Sequence, residues 1–407
     1  MYVRELTEYE FTYFSSTHIL KNYHQTSNYA KLMSKHGFTY EYIGLFDESD
    51  ILIGASLILF KEVFKFATYG YAPKGLLMDY YNEDIIKNFT SLLRDYYLTK
   101  NVAFIRINPE ISIGTINYDK EYIIDYNSNR KIINYLKNAG LIMSNNTTGF
   151  NSIIPKYNAI IKTSNYDLDK ISKQHKNQIL KGFRKGLELV KVDEDKLPIF
   201  YDFIKKKKNR PLSYYEDYYD CFSDNVDLFL VKINYDQYLI NITKAYEEEN
   251  LKNQQLYNAL VRNNNQKHLV AKMESDKLLN EYKNELEEAT NGSHDNKETY
   301  VAGAFVIRFD NRINIVISGF DKNYKNFAPN PFLHHEIIEY YKKDYKYIEL
   351  NGITNNKNDK KYKGVNELKL GFKPEAFEFI GEFDIVINKF FYKVINLTKT
   401  IKKDLKK

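Results

Sequence analysis

Three short stretches of the sequence place polar side chains beside turns, where a single group can meet a ligand. In residues 69–75, Pro73-Lys74-Gly75 predicts a tight turn that breaks an apolar region. Its backbone N–H groups or the Lys74 ammonium are suited to a phosphate. The alternative is an ordinary surface turn.

The second stretch is basic and leads into paired tyrosines. Residues 203–210 contain four consecutive lysines and end on Arg210, with Tyr214 four residues later. On a continuous helix this spacing puts Arg210 and Tyr214 on one face. Pro211 argues against such a continuous helix.

The third stretch, residues 363–372, has Gly364 near its start and Gly371 near its end. The two glycines predict a short turn. This places Lys369 on that turn, beside Phe372.

Motifs of cofactor, metal and nucleophile chemistry are missing from the sequence. No two of the 17 glycines stand two positions apart, which excludes a Gly-x-Gly fingerprint. No Gly-x-x-x-x-Gly is followed by Lys, which excludes a P-loop. His334-His335-Glu336 lacks the four-residue histidine spacing of a zinc-protease helix. Cys221 lies among aromatic residues, so we expect it to be packed and not nucleophilic. We therefore predict no cofactor and no metal.

Positive charge is concentrated in two segments. The net charge of +6 equals that of residues 389–407 alone, which hold seven lysines and one aspartate. Residues 173–210 hold twelve Lys and Arg against five acids. Two basic surfaces indicate an anionic partner such as tRNA, phosphate or anionic lipid. The alternative is a solvated helix and a frayed tail.

The length and composition predict a multidomain globular protein. A chain of 407 residues that is 43% hydrophobic can bury large cores. The single cysteine excludes an internal disulfide and fits a reducing compartment. The sequence starts without a signal peptide and has no apolar run of about 18 residues. We expect a soluble, cytoplasmic protein.

The order of predicted elements repeats along the chain. The first half predicts a helix at 27–36, strands at 40–46 and 51–63, a helix at 83–98 and a strand at 102–108. The second half predicts a strand hairpin, a helix and a strand over residues 301–350. The predicted fold class is therefore α/β (α+β), with two copies of one unit.

A different segment, residues 242–293, interrupts the second unit. It lacks proline and carries apolar residues at seven-residue spacing, broken near Asn263 and Asn265. We predict an antiparallel helical hairpin that ends at 291–293, and either a packing or dimerising coiled coil or a tRNA contact. The predicted domains are 1–150, then 151–241 with 294–407, and the 242–293 arm.

Four segments carry a resemblance to a known family. They are YGYAPKGLLMDY, FIKKKKNRPLSYYEDYYDCF, ISGFDKNYKNFAPNPFLHHEII and GVNELKLGFKPEAFEFIGEFDIVINKFFY. In this order the chain resembles the Fem-type peptidoglycan-bridge aminoacyltransferases, the FemABX family. The resemblance implies two tandem acetyltransferase-like domains, the second interrupted by a helical arm.

The resemblance implies counterparts in this sequence for several functional residues of the family. Lys369 matches the lysine thought to stabilise a tetrahedral oxyanion. Arg210 and Tyr214 match residues that bind the peptidoglycan precursor. Met33 stands where a precursor-binding lysine is common, which leaves Lys31 as a substitute.

Other positions depart from the family pattern. These departures are Leu368 for Phe, Lys207 for Thr, Leu76 for Pro and Asn108 for Asp. An asparagine cannot act as a general base. The sequence leaves the proton acceptor open, with substrate groups and Asp384 as candidates.

The implied reaction is aminolysis of an aminoacyl-tRNA by a peptide amine of a lipid-linked muramyl-pentapeptide precursor. The activated ester requires neither ATP nor a covalent intermediate. Implied partners are aminoacyl-tRNA as co-substrate, the precursor, the inner membrane surface, and a second copy or a related Fem-type protein. The alternatives are an acyl-CoA-dependent N-acyltransferase of the same fold and a non-catalytic tRNA- or membrane-binding protein.

Overall fold

The architecture comes from a computed structural model of the chain. It describes residues 1–64, 67–118, 122–144, 153–206, 210–263, 265–295, 298–356 and 359–398. Lys207 and the basic tail beyond residue 398, both named in the sequence predictions, lie outside these residues.

The described strands form two sheets. The first contains β1 (Tyr2–Glu5), β2 (Thr39–Phe46), β3 (Leu52–Phe64), β4 (Ala67–Ala72), β5 (Val102–Ile107), β8 (Ile142–Met143) and β16 (Phe383–Val386). The second contains β6 (Ser112–Asn117), β7 (Tyr122–Asp125), β9 (Tyr157–Lys162), β10 (Leu187–Val192), β11 (Val226–Ile233), β12 (Thr299–Phe309), β13 (Arg312–Phe320), β14 (Tyr347–Ile353) and β15 (Glu375–Phe379). Their spatial orders are β1-β2-β3-β4-β5-β16-β8 and β10-β11-β12-β13-β14-β9-β15-β6-β7.

The helices pack on these sheets or project from them. They are α1 (Glu8–Thr17), α2 (Ser27–Lys35), α3 (Glu83–Leu98), α4 (Asn127–Asn138), α5 (Lys173–Arg184), α6 (Leu197–Ile204), α7 (Leu212–Phe222), α8 (Tyr235–Arg262), α9 (Gln266–Asp295), α10 (Pro329–Tyr341), α11 (Lys363–Leu370) and α12 (Lys389–Thr398). Among the described helices, none combines the length and the apolar run that a bilayer crossing requires.

The helix α3 shows how closely local sequence dictates an element. The Asn82 side chain accepts hydrogen bonds from the Asp84 and Ile85 N–H groups, which caps the first turn. Buried residues recur at helical spacing along one face: Ile86, Phe89, Leu93 and Tyr97. The predicted bounds, 83–98, agree with the observed helix.

Among the described strands, each sheet contains one parallel pair, and a helix connects the two members of each pair. In the first sheet β4 and β5 are parallel and α3 connects them, whereas in the second sheet α10 connects the parallel strands β13 and β14. An antiparallel meander precedes both pairs. The predicted α/β class, with two units of one element order and an inserted helical hairpin, is confirmed.

The two sheets exchange strands. The strand β16, from the C-terminal part of the chain, pairs with β5 in the first sheet. The strands β6 and β7, from the N-terminal part, pair with each other and β6 with β15 in the second sheet. The division at residue 150 stays a prediction, and the sheets do not follow it strictly.

The buried apolar residues of the described ranges form three cores between the helices and the sheets. One lies under α3 and α4 against the first sheet, and one lies under α5 and α10 against the second. The third is shared, since it joins Leu57 and Tyr71 of the first sheet to Phe200, Tyr215 and Phe305 of the second unit. The helices α2 and α7 meet in this shared core.

The helical hairpin is longer than predicted at its base. It consists of α8 and α9. The helix α8 begins at Tyr235, and the Asn234 side chain caps its first turn. The predicted stop at 291–293 is wrong, because α9 continues to Asp295. Gly292 permits close approach of the two helices: a Cβ atom there would lie 2.1 Å from Tyr235 Cδ1.

Candidate functional site

Lys369 lies near the C-terminal end of α11, which packs on β14. Its Nζ donates to the Gly352 carbonyl oxygen at 2.7 Å, and the side chain is half-buried. Gly352 belongs to β14. The ammonium is therefore held against the carboxyl-terminal part of that strand.

The strands β13 and β14 diverge close to this ammonium. Their register runs only from the Arg312–Tyr347 pair to the Asn314–Glu349 pair. Beyond it, β13 follows β12 and β14 follows β9. Just past the last pair, Asn351 Nδ2 donates to the Ile315 carbonyl oxygen at 2.5 Å. Lys369 thus sits at an opening between two parallel strands.

A buried asparagine fixes α11 to the segment that follows β14. Asn366 is 1% exposed, and its Nδ2 donates to Thr354 Oγ1 at 2.6 Å. Its Oδ1 accepts a hydrogen bond from the Thr354 N–H at 3.1 Å. The predicted short turn at 363–372 is thus a two-turn helix anchored from its middle.

Arg210 and Tyr214 are in direct contact. The guanidinium carbon of Arg210 lies 3.8 Å from the Tyr214 ring centroid, which is a cation–π geometry. The helix α7 begins only at Leu212, after Pro211. Arg210 and Tyr214 therefore do not share one continuous helix. The Arg210 side chain instead lies over the first turn of α7, where Tyr214 is located.

The surroundings of Tyr214 come from both units. The His36 ring, at the end of α2, lies 4.8 Å from the Tyr214 ring. Burial, followed by the proximity of Tyr214, raises the pKa of Tyr29 on α2 and keeps its hydroxyl neutral. On the outer side, Lys35 Nζ bonds Asp220 at 2.6 Å and Asp217 at 3.0 Å. The Arg210–Tyr214 pair therefore lies at the junction of α2 and α7.

Lys31 lies on α2 and points to solvent. Its side chain is 50% exposed, and its Nζ forms an ion pair with Glu8 Oε1 at 2.6 Å. An exposed pair of this kind exchanges readily with water and ligands. Met33, two residues on, is buried in the shared core.

Lys74 is buried, so its turn does not present the ammonium at the protein surface. The residue is 5% exposed and adopts a positive φ of 56°. Its N–H donates to Asn108 Oδ1 at 2.9 Å, and its Nζ lies 3.9 Å from Glu110 Oε2. Its Nζ also lies 4.8 Å from the Phe379 ring centroid. A ligand role for Lys74 stays a prediction.

An ion cluster with two buried carboxylates lies beside Lys74, and the sequence did not predict it. Arg312 Nη1 donates to Glu110 Oε1 at 2.5 Å and to Glu349 Oε1 at 2.8 Å. Asn22 Nδ2 also donates to Glu110, at 2.5 Å. No linear motif joins these residues, since Glu110 and Arg312 are 202 positions apart.

The pKa values of the two buried carboxylates in this cluster are shifted in opposite directions. Burial opposes the charge of Glu110, but Lys74 and Arg312 outweigh burial and lower its pKa. Burial and the nearby Glu110 charge raise the pKa of Glu349. Lys74 and Arg312 also favour the charged form of Glu349, but there burial and the Glu110 charge prevail.

Lys369 and the end of α6, the helix that precedes Arg210, both contact the carboxyl-terminal parts of central strands of the second sheet. The helix α6, which precedes Arg210, ends against Gly319 of β13, where a Cβ atom would lie 2.6 Å from the Phe203 carbonyl oxygen. Because β13 and β14 are parallel, Gly319 and Gly352 both lie toward their carboxyl ends. The Lys74 cluster also reaches these two strands, through Arg312 at the start of β13 and through Glu349 of β14. Glu349 lies three residues before Gly352, about 10 Å away along the strand at ~3.3 Å per residue.

A model of the FemAB family matches residues 6–400. The chain belongs to the FemAB family. It is similar to aminoacyltransferase FemA of Staphylococcus epidermidis, with 24% identity over 98% of this chain and 99% of the relative. It is also similar to aminoacyltransferase FemA of Staphylococcus aureus, with 26% identity over 98% of each protein.

The solved structure of FemX shares the fold. The match has a TM-score of 0.74 and 18% identity, and it covers 97% of this chain and all of that one. At this identity the likeness establishes the architecture alone. The resemblance to the Fem-type family found in the sequence is confirmed.

The structure shows what two of the residues that depart from the FemAB pattern contact. Asn108 Oδ1 accepts hydrogen bonds from the Lys74 N–H and from Tyr71 Oη, at 3.3 Å, so this side chain stabilises the turn. Leu368 packs against the core under α5 and α10. Both residues have structural partners, and neither supplies a proton acceptor.

Asp384 does not have the environment of a proton acceptor either. Its Oδ1 and Oδ2 accept from Arg106 Nε and Nη2, both at 2.7 Å, and Tyr392 Oη donates to Oδ2 at 3.0 Å. The carboxylate is 1% exposed. This buried bidentate pair is structural, so the candidate proton acceptor named from the sequence is not favoured.

Proposed function

We propose that this protein is an aminoacyltransferase that moves a small amino acid from aminoacyl-tRNA to a peptide amine of a lipid-linked peptidoglycan precursor. The observation that carries the proposal is the Lys369 ammonium, held by Gly352 where β13 and β14 diverge. The FemAB match and the FemA names of the relatives support the transferase class.

Lys369 supplies electrostatic stabilisation in this reaction. The amine of the precursor attacks the ester carbonyl carbon of the aminoacyl-tRNA, which forms a C–N bond and a tetrahedral oxyanion. Lys369 donates to that oxyanion, a contribution of about 3–4 kcal/mol for one preorganised donor. Collapse of the intermediate breaks the ester C–O bond and releases the tRNA hydroxyl, and the proton lost by the amine passes to that oxygen through substrate or solvent.

Arg210 and Tyr214 bind the precursor in this proposal. The ring under the guanidinium restricts its orientation, which lowers the entropy lost when its fork binds a phosphate group. Lys31 stands on the neighbouring helix with only an exposed ion pair to exchange. Positioning of the two large substrates accounts for the rest of the rate enhancement.

The protein works on a carrier in the membrane and is expected to bind its surface peripherally. The basis is the basic segment 389–407, whose lysines Lys402, Lys403, Lys406 and Lys407 lie outside the described residues. Each basic residue near an anionic surface contributes about 1 kcal/mol. Pairing with a second copy or a related Fem-type protein stays a prediction.

One experiment tests the function directly. The purified protein is incubated with a pool of charged tRNAs and a lipid-linked or soluble muramyl-pentapeptide, and mass spectrometry measures the mass added to the peptide. An increment of one small amino acid supports the proposal. An acyl mass that requires CoA would establish the acyl-CoA alternative, and firm tRNA binding without transfer would establish the non-catalytic one.

A further inference from the structure

His175 lies on the first turn of α5 and contacts the end of α11. It is 6% exposed, and its Nε2 lies 2.9 Å from the Leu368 carbonyl oxygen. Leu368 immediately precedes Lys369. The imidazole therefore touches the backbone that carries the proposed oxyanion donor.

The packing around His175 leaves little freedom for either partner. A Cβ atom on Gly371 would lie 2.0 Å from His175 Cε1, so the ring occupies the volume of a side chain there. The His175 ring also meets the Phe372 ring edge-on, with centroids 5.1 Å apart. Ser172, which caps α5, donates its N–H to the Gly371 carbonyl oxygen at 3.0 Å.

The hydrogen bond to Leu368 completes a helix end. The last four carbonyl groups of a helix lack partners within it, and Leu368 is among the last four residues of α11. Since a carbonyl oxygen only accepts, the hydrogen must reside on His175 Nε2. Burial lowers the pKa of His175, which favours the neutral ring.

We propose that His175 is a positioning residue that fixes the Lys369 ammonium for transfer. This rests on the proposed function of Lys369. The helix α11 has only eight residues and two turns, too few to be rigid unaided. Asn366 anchors its middle, and His175 anchors its end. Oxyanion stabilisation requires a donor held to within about 0.5 Å, so release of this end lowers the chemical rate before it lowers substrate binding.

The test compares three variants of the full chain by steady-state transfer kinetics. His175→Phe keeps a ring but removes the donor, and we expect kcat to fall at least about tenfold with both KM values within about twofold. His175→Gln can place its amide nitrogen near Nε2, and we expect kcat within about threefold of the parent. His335→Phe is the control, because His335 is an equally buried histidine on α10 that bonds Tyr166 Oη at 2.8 Å.

A double substitution separates this role from a general loss of stability. In the Lys369→Met background, His175→Phe should cause less than about a twofold further loss of kcat, because the group that it positions is gone. A full tenfold loss in that background, or an equal loss in His335→Phe, would overturn the inference. So would an unchanged kcat in His175→Phe.

Failure of the proposed function gives a different pattern. If Lys369→Met transfers at the parent rate, Lys369 is not the oxyanion donor whatever His175 does. If Lys369→Met is slow and His175→Phe is not, only the positioning role fails. Thermal unfolding is measured for every variant, and His175→Asn, whose amide is too short to reach Leu368, replaces His175→Phe if that chain does not fold.

Discussion

Arg312 Nη1 donates to Glu110 Oε1 at 2.5 Å, and this bond ties the segment that leaves the first sheet to the start of β13 in the second. Glu349 shares the same nitrogen at 2.8 Å. The two carboxylate side chains are only 8% and 6% exposed, so the guanidinium compensates charges that water reaches poorly.

Removal of that guanidinium should destabilise the fold strongly. We expect Arg312→Met to lower the free energy of unfolding by about 3 kcal/mol, because Glu110 and Glu349 stay buried without it. Urea denaturation measures the change. The control is Arg4→Met, which breaks an exposed bidentate pair with Glu10 and should lower it by less than about 1 kcal/mol. Equal losses in the two variants would contradict the prediction.

Substitution of the proposed oxyanion donor should slow the chemical step. We expect Lys369→Met to reduce transfer at saturating substrates by at least about tenfold, with the thermal unfolding temperature little changed. Lys363→Met is the matched control on the same helix, since its side chain is 66% exposed and pairs with Glu367 at 3.7 Å. Parent-like turnover in Lys369→Met would remove the assignment.

The planar charge of Arg210 should matter for the precursor. We expect Arg210→Lys to raise KM for the precursor by about tenfold or more, since lysine keeps the charge but loses the fork and the stacking on Tyr214. KM for aminoacyl-tRNA should change by less than about twofold. Arg262→Lys, on an exposed part of the arm, serves as control. The precursor role fails if both arginine variants behave alike.

Stability should fall in mild acid. Burial lowers the pKa of several described histidines: His18, His24, His36, His175 and His335. Below about pH 6.5 the unfolded chain therefore binds more protons than the folded chain, and the free energy of unfolding decreases as the pH decreases.

Denaturation at about pH 7, 6 and 5 measures this slope. Glu336 and Glu349, whose pKa values burial raises, act in the opposite direction and reduce the slope without reversing it. His335→Phe removes one of the responsible groups, so its stability should fall less over the same range. A stability that rises toward pH 5 would disprove the expectation.

The base of the helical hairpin should reject a side chain at Gly292. We expect Gly292→Ala to lower the free energy of unfolding by about 1–3 kcal/mol, because its Cβ would overlap the Tyr235 ring. Gly364→Ala is the control in another helix, where no atom lies within 4 Å of the added Cβ, and it should change stability by less than about 1 kcal/mol. A neutral Gly292→Ala would show that the two helices separate easily.

Local patterns sufficed for some of this molecule and failed for the rest. The apolar spacing of α3 and the order of strands around β13 and β14 were visible in the sequence, because they depend on neighbours a few residues apart. The burial of Lys74 was not, because it depends on Glu110, and Glu110 in turn depends on Arg312. In the sequence Gly292 predicts a helix stop, whereas in the structure it lies within α9 and leaves room for the Tyr235 ring. His175 carried no signal, since its partner is a backbone carbonyl 193 positions away.

The strand exchange determines when each sheet can be completed during synthesis. The strand β16 pairs with β5 and β8, yet it spans Phe383–Val386. The first sheet therefore cannot be completed until residues 383–386 have left the ribosome. Until then β5 lacks its neighbour β16. A nascent chain in that interval presents an unpaired edge, the kind of surface on which strands from other molecules add. A protein of residues 1–150 alone would lack β16 altogether, so this edge of β5 would stay unpaired.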